Sequence, residues 1–472
     1  MLERSRDKIM LTEEKLFQGK KGDIKVKNRI LKFAIIFIVF FSLTEAYSQD
    51  SFQMTSEAGS PEKISLAQAI DFAFKNSEEI KITSQQVSQS ESQYRERLGD
   101  YYPHIDAQVS WTNNLKYPVN DVYPKAANYN YVMNNKIKTT QLVYSFGKVD
   151  NAVRAAKESI NTNFFKKEAT QEEIRFASKI AYYAVIFRKN ILLITEESYQ
   201  NALENKDILE NRTFAGRVSR KDNIEIESDL ASRIPFLSSA KAELISAENT
   251  LKRVMGISLV KNIELADTLA ESYEYIKEEN LLERMYQEEP SLKAYNSLIK
   301  VQESIVKAKK AEHLPTISGF GQWEYNGKND NNAFVGSSNM DNFAVIGVQV
   351  EIPIWEGGQI TERVNQAQED KVISELEYQK RQKDLTLELK NAISDYTQYI
   401  ITLKANKEAV KLAEQRFSLF QDLFHTGQVS VLELNDAELA LTNNKVNMQE
   451  TIFRINQSMA TIEKLVLSGD IT

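Results

Sequence analysis

The sequence predicts a mainly α-helical protein whose helices are interrupted by two β-hairpins able to cross a membrane. Its 472 residues include only 16 Gly and 8 Pro, so long segments contain no residue that breaks a helix. Two regions alternate apolar with polar residues, a pattern typical of strands with two different faces. The same order of segments then occurs a second time, which indicates an internal duplication.

Composition excludes several classes of protein. With 42% hydrophobic and 26% charged residues, the chain has the apolar content to fold and is not expected to be disordered. Its net charge of -7 offers no basic surface for phosphates, so nucleic acid is not expected as a partner. The chain has no cysteine, which excludes disulfides, thiolate metal sites and a thiol nucleophile.

Residues 1–48 have the shape of a secretory signal peptide. An apolar run spans Ile30–Leu43, with basic residues before it and small residues after it, which predicts cleavage before Gln49. Residues 49–63 then form a linker. The run is shorter than the roughly 20 residues of a spanning helix, and a membrane anchor is the alternative interpretation. No later run reaches that length, so we expect any membrane insertion of the mature chain to use β-strands.

The duplication pairs residues 64–256 with residues 277–467, leaving a linker at 257–276 and a tail at 468–472. Landmarks of the two copies are 211 or 212 residues apart and keep their order: Pro103 with Pro315, Trp111 with Trp323, Gly147 with Gly358, and Gly216 with Gly427. Both copies are therefore expected to build the same unit.

Each copy opens with a helical segment, Leu66–Leu98 and Leu281–Ala311, in which apolar residues recur at helical spacing. Pro290 aligns with the pair Asn76–Ser77, so we expect a break at that point in both copies. The first landmark proline of each copy then ends the helix.

A β-hairpin follows in each copy, at 103–144 and at 315–354. Apolar residues alternate with polar ones in the first strand of copy one and the last strand of copy two: Ile105, Ala107, Val109, Trp111, Ile346, Val348, Val350 and Ile352. The return strand of copy one, near 131–144, breaks the alternation with Asn and Lys residues, and a polar stretch at 326–342 connects the strands of copy two. Three tryptophans in or at the ends of the strands are predicted membrane-interface aromatics: Trp111, Trp323 and Trp355.

Two hairpins supply four strands, whereas the smallest closed membrane barrels have about eight. Open strand edges are not tolerated in lipid, so the chain has to assemble with copies of itself. Cyclic symmetry joins the edge of one copy to the next, and three copies form the simplest closed barrel. We therefore expect a homotrimer.

Long helices follow each hairpin. Neither Gly nor Pro occurs between Gly147 and Asn211 or between Gly358 and Gly427, and each segment would extend roughly 100 Å at the helical rise per residue. Apolar residues spaced by four and three predict coiled packing against neighbouring helices: Ile180, Ala184, Phe187, Ile191 and Ile194. An antiparallel helix returns after each Gly turn, and Pro235 predicts a kink or break in the first of them.

Because these features occur in this order, and twice, the chain resembles the TolC family of outer-membrane efflux proteins over nearly its whole mature length. The motifs are the opening Ile64-Ser65-Leu66, the post-helix prolines, the turns at Phe146-Gly147 and Trp355-Glu356-Gly357-Gly358, and two Gly turns followed by acidic residues. The resemblance implies a trimeric twelve-stranded β-barrel in the outer membrane, continued by a periplasmic α-helical barrel. It also implies a passive exit duct for small molecules or proteins, gated at the periplasmic end.

The family also implies the partners. These are two further copies of the chain, the lipid of the outer membrane, a periplasmic adaptor (membrane fusion protein) and an inner-membrane transporter of the RND or ABC type. The duct would serve a tripartite efflux pump or a type I secretion system. No cofactor and no metal are implied.

Acidic residues after the Gly turns resemble the rings that close the family's tunnel. Glu433 and Asp436 are three residues apart and so share a helix face, and Asp222 and Glu225 occupy the matching positions of the first copy. Threefold symmetry would turn each carboxylate into a ring that attracts cations. The alternative is that acidic residues near a helix N-terminus simply favour its dipole.

The turns themselves match the family's adaptor contacts: Ala215, Gly216, Arg217, Thr426, Gly427 and Gln428. A Gly at such a position is also an ordinary helix C-cap. Phe424 matches an aromatic residue that the family often places three residues before this Gly, whereas the first copy has Thr213 there. Phe424, Arg217 and Arg220 are thus possible closed-state contacts, and a solvated charge run is the alternative for the two arginines.

An enzyme is not expected, because the three histidines are scattered and no phosphate loop or nucleophile motif occurs. The main alternative function is a periplasmic coiled-coil adaptor or scaffold without a pore. An adaptor would explain the helices but not the alternating strands. A cytoplasmic filament-like protein is a second alternative, which fails if residues 1–48 are absent from the mature chain.

Overall fold

The computed structural model describes residues 62–115, 131–214, 220–269, 273, 276, 281–329 and 340–467, which belong to one structural unit. The first copy contains β1 (Glu62–Ile64), α1 (Leu66–Asn76), α2 (Glu78–Leu98), β2 (His104–Asn113), β3 (Tyr131–Tyr144), α3 (Lys148–Phe214) and α4 (Arg220–Val254). After β4 (Ile263–Leu265), the second copy contains α5 (Leu281–Glu288), α6 (Pro290–Lys310), β5 (Thr316–Asn329), β6 (Met340–Glu351), α7 (Gln359–Thr426) and α8 (Val431–Val466).

Several predictions lie outside the described residues. They are the signal peptide at 1–48, the linker up to residue 61, the turn at 215–217 and the tail at 468–472.

The predicted break near the start of each copy is confirmed, and each break carries its own cap. Ser77 separates α1 from α2, and its hydroxyl accepts the backbone N–H of Ile80 at 3.3 Å. In the second copy the Glu289 carboxylate accepts the N–H of Leu292 at 2.8 Å, with Pro290 in the first turn of α6. A side-chain acceptor thus satisfies an orphan donor at both helix starts.

The four long strands form one antiparallel sheet in the order β2-β3-β5-β6. The hairpin of each copy pairs with that of the other through β3 and β5, with Lys136 opposite Glu324. β2 and β6 therefore lie at the two edges, each with one row of backbone groups that no strand of the same chain pairs in the described sheet.

One face of this sheet is apolar and the other is polar. The register brings these residues to the apolar face: Ile105, Val109, Trp111, Ile137, Trp323, Ile346, Val348 and Val350. The opposite face carries Asp106, Gln108, Lys136, Lys138, Gln322 and Glu324. The irregular return strand of copy one fits this division, because Asn134 and both lysines share the polar face. Asn135 alone of that group lies on the apolar face, where its amide donates to the Tyr325 carbonyl at 2.9 Å.

The three tryptophans do not share one height on the sheet. Trp111 lies near the end of β2 and stacks on Tyr131, with ring centroids 5.8 Å apart. Trp323 lies in the middle of β5, opposite Ile137 and Ala344, rather than at a strand end. Trp355 lies beyond β6, in the connection to α7. The expectation that all three lie in or at the ends of strands is therefore wrong for Trp355, because pairing stops at Glu351.

The two longest helices, α3 and α7, run through both halves of the helical layer. Near the sheet the neighbours follow the order α2-α3-α6-α7, and away from it the order α4-α3-α8-α7. α3 thus has helices on several sides, and in its central part the buried residues are Ser178, Ala181, Tyr182, Val185 and Ile186 rather than the predicted apolar stripe, which is half-buried. No helix in the described part of the chain combines the length and apolarity needed to cross a membrane.

Of the kink or break predicted at Pro235, the break does not occur, since α4 is continuous through it. Proline removes one backbone donor and leaves the carbonyl four residues earlier without its helical partner. Pro235 and Ala231 are both exposed, so water can satisfy that carbonyl. The helix therefore continues despite the lost hydrogen bond.

The described part of the linker between the copies joins the first copy in a short collar. β4 pairs in parallel with β1, and the N–H of Leu66 donates to Oδ2 of Asp267 at 2.8 Å, which caps α1. The buried Tyr182 hydroxyl of α3 lies 2.9 Å from both Oδ2 of Asp267 and the Ile64 carbonyl oxygen. Burial and the hydrogen bond to Asp267 raise the pKa of Tyr182. One hydroxyl thus ties the linker, the first strand and the longest helix of copy one together.

Tyr182→Phe is expected to destabilise the collar by about 1–3 kcal/mol, because it leaves a buried carbonyl and a capping carboxylate without their shared partner. The measurement is chemical unfolding of the purified protein in detergent, followed by circular dichroism. Tyr183→Phe is the matched control, since that half-buried hydroxyl makes no hydrogen bond within the described residues. Equal unfolding midpoints for both variants would contradict the role of Tyr182.

Candidate functional site

The turn between α7 and α8 lies at the end of the helices farthest from the sheet. α7 ends at Thr426, and Gly427 follows with a φ of 80°, a conformation that favours glycine. The N–H of Gln428 donates to the Leu423 carbonyl at 2.9 Å, which closes the helix end. The predicted contact turn Thr426–Gln428 is thus an exposed, tightly capped corner.

Phe424 is a core residue of this end. Only 2% of its surface is exposed, and it belongs to a buried cluster drawn from four helices: Leu209, Ile226, Ala413, Phe417, Val431, Leu434, Ala437 and Leu441. The cluster fastens the α3/α4 hairpin of copy one to the α7/α8 hairpin of copy two. Phe424 therefore contributes through packing within one chain.

Glu433 has a local structural role as well as a charge. Its carboxylate accepts the backbone N–H of Ser430 at 2.8 Å, and the Ser430 hydroxyl accepts the N–H of Glu433 at 3.3 Å. This reciprocal pair is a capping box at the start of α8. The hydrogen bonds from Ser430 lower the pKa of Glu433, so this exposed carboxylate stays ionised at neutral pH.

Asp436 lies one turn further along α8 and is exposed. Leu432 and Leu439 are four residues before it and three after it, on the same helix face, and both are more than half exposed. This face therefore carries an acidic residue between two leucines.

The matching residues of the first copy are less open to solvent. Glu225 is half-buried and pairs with Lys221 at 3.3 Å within α4, and Asp222 is half-buried as well. Arg220 is exposed at the start of the helix. Arg217, with Ala215 and Gly216, lies outside the described residues. The two copies thus present different acidic surfaces.

A buried charge cluster that the sequence reasoning missed lies further along the same helices. Arg233 of α4 reaches Glu438 of α8, with Nη1 2.7 Å from Oε1 and Nη2 2.6 Å from Oε2. Its Nε donates to Asp229 at 2.8 Å, and Nη1 also donates to the Ser198 carbonyl of α3 at 3.0 Å. One guanidinium therefore joins both copies across α3.

The charge of Glu438 and the charge of Arg233 stabilise each other in this buried cluster. Glu438 is 1% exposed, and burial raises its pKa although the hydrogen bonds from Arg233 act against that shift. A signal for the cluster was present in the sequence. Arg233 stands seven residues from Ile226 and from Ala240, both buried, so a charged residue occupies a core position of a heptad. Its partner could not be read from that spacing.

Within the part of the chain that the structure describes, no three His, Asp or Glu side chains converge on a point that could hold a metal ion.

Comparisons with known proteins agree on one family. The model of the outer membrane efflux protein family matches residues 281–465. The chain is 22% identical over 333 residues to the outer membrane protein TolC of Vibrio cholerae, covering 63% of this chain and 72% of that protein. It is 21% identical over 311 residues to the outer membrane efflux protein BepC of Brucella suis, covering 64% and 65%. The solved structure of the Campylobacter jejuni CmeC outer membrane channel has the same fold, with a TM-score of 0.75, 17% identity and coverage of 86% and 87%.

Removing one partner of the buried cluster is expected to cost more than removing both. Arg233→Ala leaves the Glu438 charge buried and unpaired, so we expect a loss of about 3–5 kcal/mol in the free energy of unfolding. The double variant Arg233→Met with Glu438→Met replaces the ion pair by apolar groups and should recover most of that loss. Chemical unfolding in detergent measures both, and a double variant as unstable as Arg233→Ala would contradict this account.

Proposed function

The chain belongs to the outer membrane efflux protein family, and from this premise we propose that three copies form the outer-membrane exit duct of a tripartite efflux pump or type I secretion system. The protein lies in the outer membrane and extends into the periplasm. Its family and fold are those of transport channels. In the proposal, cargo is small molecules or proteins, and the duct is gated at the periplasmic end.

One observation supports the proposal: the unpaired edges of the sheet and the outer helices of the helical layer lie on the same two sides of the protomer. β2 and β6 are the edges of the sheet. α2 leads into β2 and α7 follows β6, and away from the sheet the outer helices are α4 and α7. One side of the protomer is thus β2 with α2 and α4, and the other is β6 with α7. Joining unlike sides head to tail closes both layers at once.

The two outer helices each carry an apolar row on the side without a neighbour. On α4 these residues are Ile224, Ile234 and Ile245, and on α7 they are Ile401, Leu412 and Leu419, each more than half exposed. Residues 7 or 11 apart return to nearly the same direction on a helix, and residues 10 apart, such as Ile224 and Ile234, lie within one a/d stripe of a heptad pattern. The rows therefore resemble the two halves of a coiled-coil seam.

The rows also lie at corresponding heights. Lys445 of α8 pairs with Glu197 of α3 at 2.9 Å and with Glu414 of α7 at 3.8 Å, which brings these residues to one level. Arg233 contacts Ser198 next to that level. Ile234 on one side is therefore level with Leu412 on the other, as a symmetric ring requires.

At the far end of the duct, Glu433 and Asp436 are proposed to form acidic rings in the trimer, with Asp222 and Glu225 as weaker candidates. The exposure of Glu433 and Asp436 supports this assignment, whereas Glu225 is already paired with Lys221. The turns at 215–217 and 426–428 are proposed to contact a periplasmic adaptor, which would link the duct to an RND or ABC transporter. The buried Arg233 cluster, rather than Arg220, is the better candidate for a contact that holds the helices together.

Neutralising the ring without disturbing the helix is expected to weaken block by a trivalent cation by about tenfold in planar bilayers, because ring carboxylates concentrate cations at the entrance. The variant is Glu433→Gln with Asp436→Asn, since Gln at this position keeps the capping box. Single-channel conductance of the same protein in simple salt tests the duct itself.

Ser430→Ala is the matched control, because it removes half of the cap and keeps the charge. Unchanged block in the Gln/Asn variant, or equal loss in Ser430→Ala, would remove the acidic residues from the gate. A protein with no conductance, recovered in soluble form, would favour an adaptor or scaffold instead.

The head-to-tail seam is tested by cross-linking, since the natural chain has no cysteine. Ile234→Cys with Leu412→Cys is expected to form covalent trimers on oxidation, seen on a non-reducing gel. Ile234→Cys with Ile401→Cys is the control, because residue 401 lies three turns, roughly 16 Å, from residue 412 along α7. Trimers in the control but not in the first variant would contradict the register.

A further inference from the structure

The last strand of the sheet breaks the alternation of its neighbours. On β6 the apolar residues Ile346, Val348 and Val350 lie on the apolar face, but Phe343 and Val345 lie on the polar face. Both are more than two-fifths exposed. Two large apolar side chains therefore stand among charged and amide side chains.

A third apolar side chain extends this row. Phe320 of β5 is opposite Gly347, and a Cβ on that glycine would lie 2.8 Å from Cζ of the Phe320 ring. The ring thus fills the position where a residue 347 side chain would stand, next to Val345. Phe320, Phe343 and Val345 form a continuous apolar strip along the polar face of β6.

Among the described residues, the strands on either side of the strip in the proposed ring face it with polar groups. On β5, Gln322 is opposite Val345 and Glu324 is opposite Phe343. On the other side, the edge of β6 would meet β2 of the next copy, whose residues on this face are His104, Asp106, Gln108, Ser110 and Thr112. The strip therefore remains exposed to the water of the duct.

The charges nearest to the strip are acidic. Glu324 is beside Phe343, and Asp341 precedes it by two residues on the same face. Lys136 forms an ion pair with Glu324 at 3.7 Å but lies, with Lys138, on β3, which is two strands or about 10 Å from β6, and Asp341 is further along β6. Aromatic faces attract cations, and exposed apolar surface attracts apolar groups.

We propose that this strip binds lipophilic cations, molecules with an aromatic or aliphatic body and a delocalised positive charge, as they pass through the barrel. This inference rests on the proposed exit duct. Three copies would supply three such strips around one lumen, each bordered by β2 of the next copy. A shallow, open strip binds weakly enough to release its ligand, as conduction requires.

The test is block of the open channel in planar bilayers by tetraphenylphosphonium added on the barrel side. Wild-type protein should show brief, reversible current reductions. Phe343→Ser with Val345→Thr should weaken this block by about tenfold in the apparent dissociation constant, because it removes the apolar and cation–π contacts. Both replacements are compatible with a strand, and conductance in potassium chloride should stay unchanged.

Ile346→Thr is the matched control, because residue 346 is next to Val345 on the same strand but lies on the opposite face. Its block should equal that of wild type. Tetramethylammonium, which has the charge without the rings, and tetraphenylborate, which has the rings with a negative charge, should both block much less.

Equal block in wild type and in the Phe343/Val345 variant would overturn the site, and equal block by tetraphenylborate would overturn its preference for cations. Absence of any conductance would instead overturn the exit duct. The two failures are therefore distinguishable in one recording.

Discussion

A strand surrounded by lipid has to give every backbone N–H and C=O a partner on another strand, because no water is present to replace it. In this protein the demand is met within the chain for β3 and β5, and it is unmet along the outer edges of β2 and β6. The helices respect the same division, since the free sides of the helical layer lie below the free edges of the sheet. In the proposed trimer, assembly, pore and tunnel therefore all depend on how two unpaired edges are satisfied.

Within one chain, the two copies are held together at three heights. β3 and β5 join them in the sheet, the Arg233–Glu438 pair joins them across α3, and a cluster around Phe424 joins them near the turns. The inter-copy linker adds the collar through Asp267. A duplicated sequence thus becomes a single unit because each junction pairs a residue of one copy with a residue of the other.

Much of the fold could be predicted because it rests on local rules. Pro103 and Pro315 follow the ends of helices, because proline cannot continue a helix. The breaks at Ser77 and Pro290 follow from side-chain capping and from the backbone N–H that proline lacks. Pro235 shows the limit of such rules, because an exposed carbonyl can be hydrated and the helix then continues. The candidate site was less predictable. Glu433 was singled out by its position as a gate residue, and its bond to Ser430 makes it a helix cap as well as a charge, which the spacing alone did not decide.

By itself, the sequence determined which segments are helices and strands, where the duplication falls, and that four strands cannot close a barrel alone. These features follow from the spacing of apolar residues and from the need of every backbone N–H and C=O for a partner, and both act over short stretches of the chain. Only the tertiary structure decided which side chains meet. Register across β5 and β6 brought Phe343 and Val345 to the polar face, and packing across α3 brought Arg233 to Glu438. These pairings join residues far apart in the chain, and their energies depend on burial, which a linear pattern does not contain.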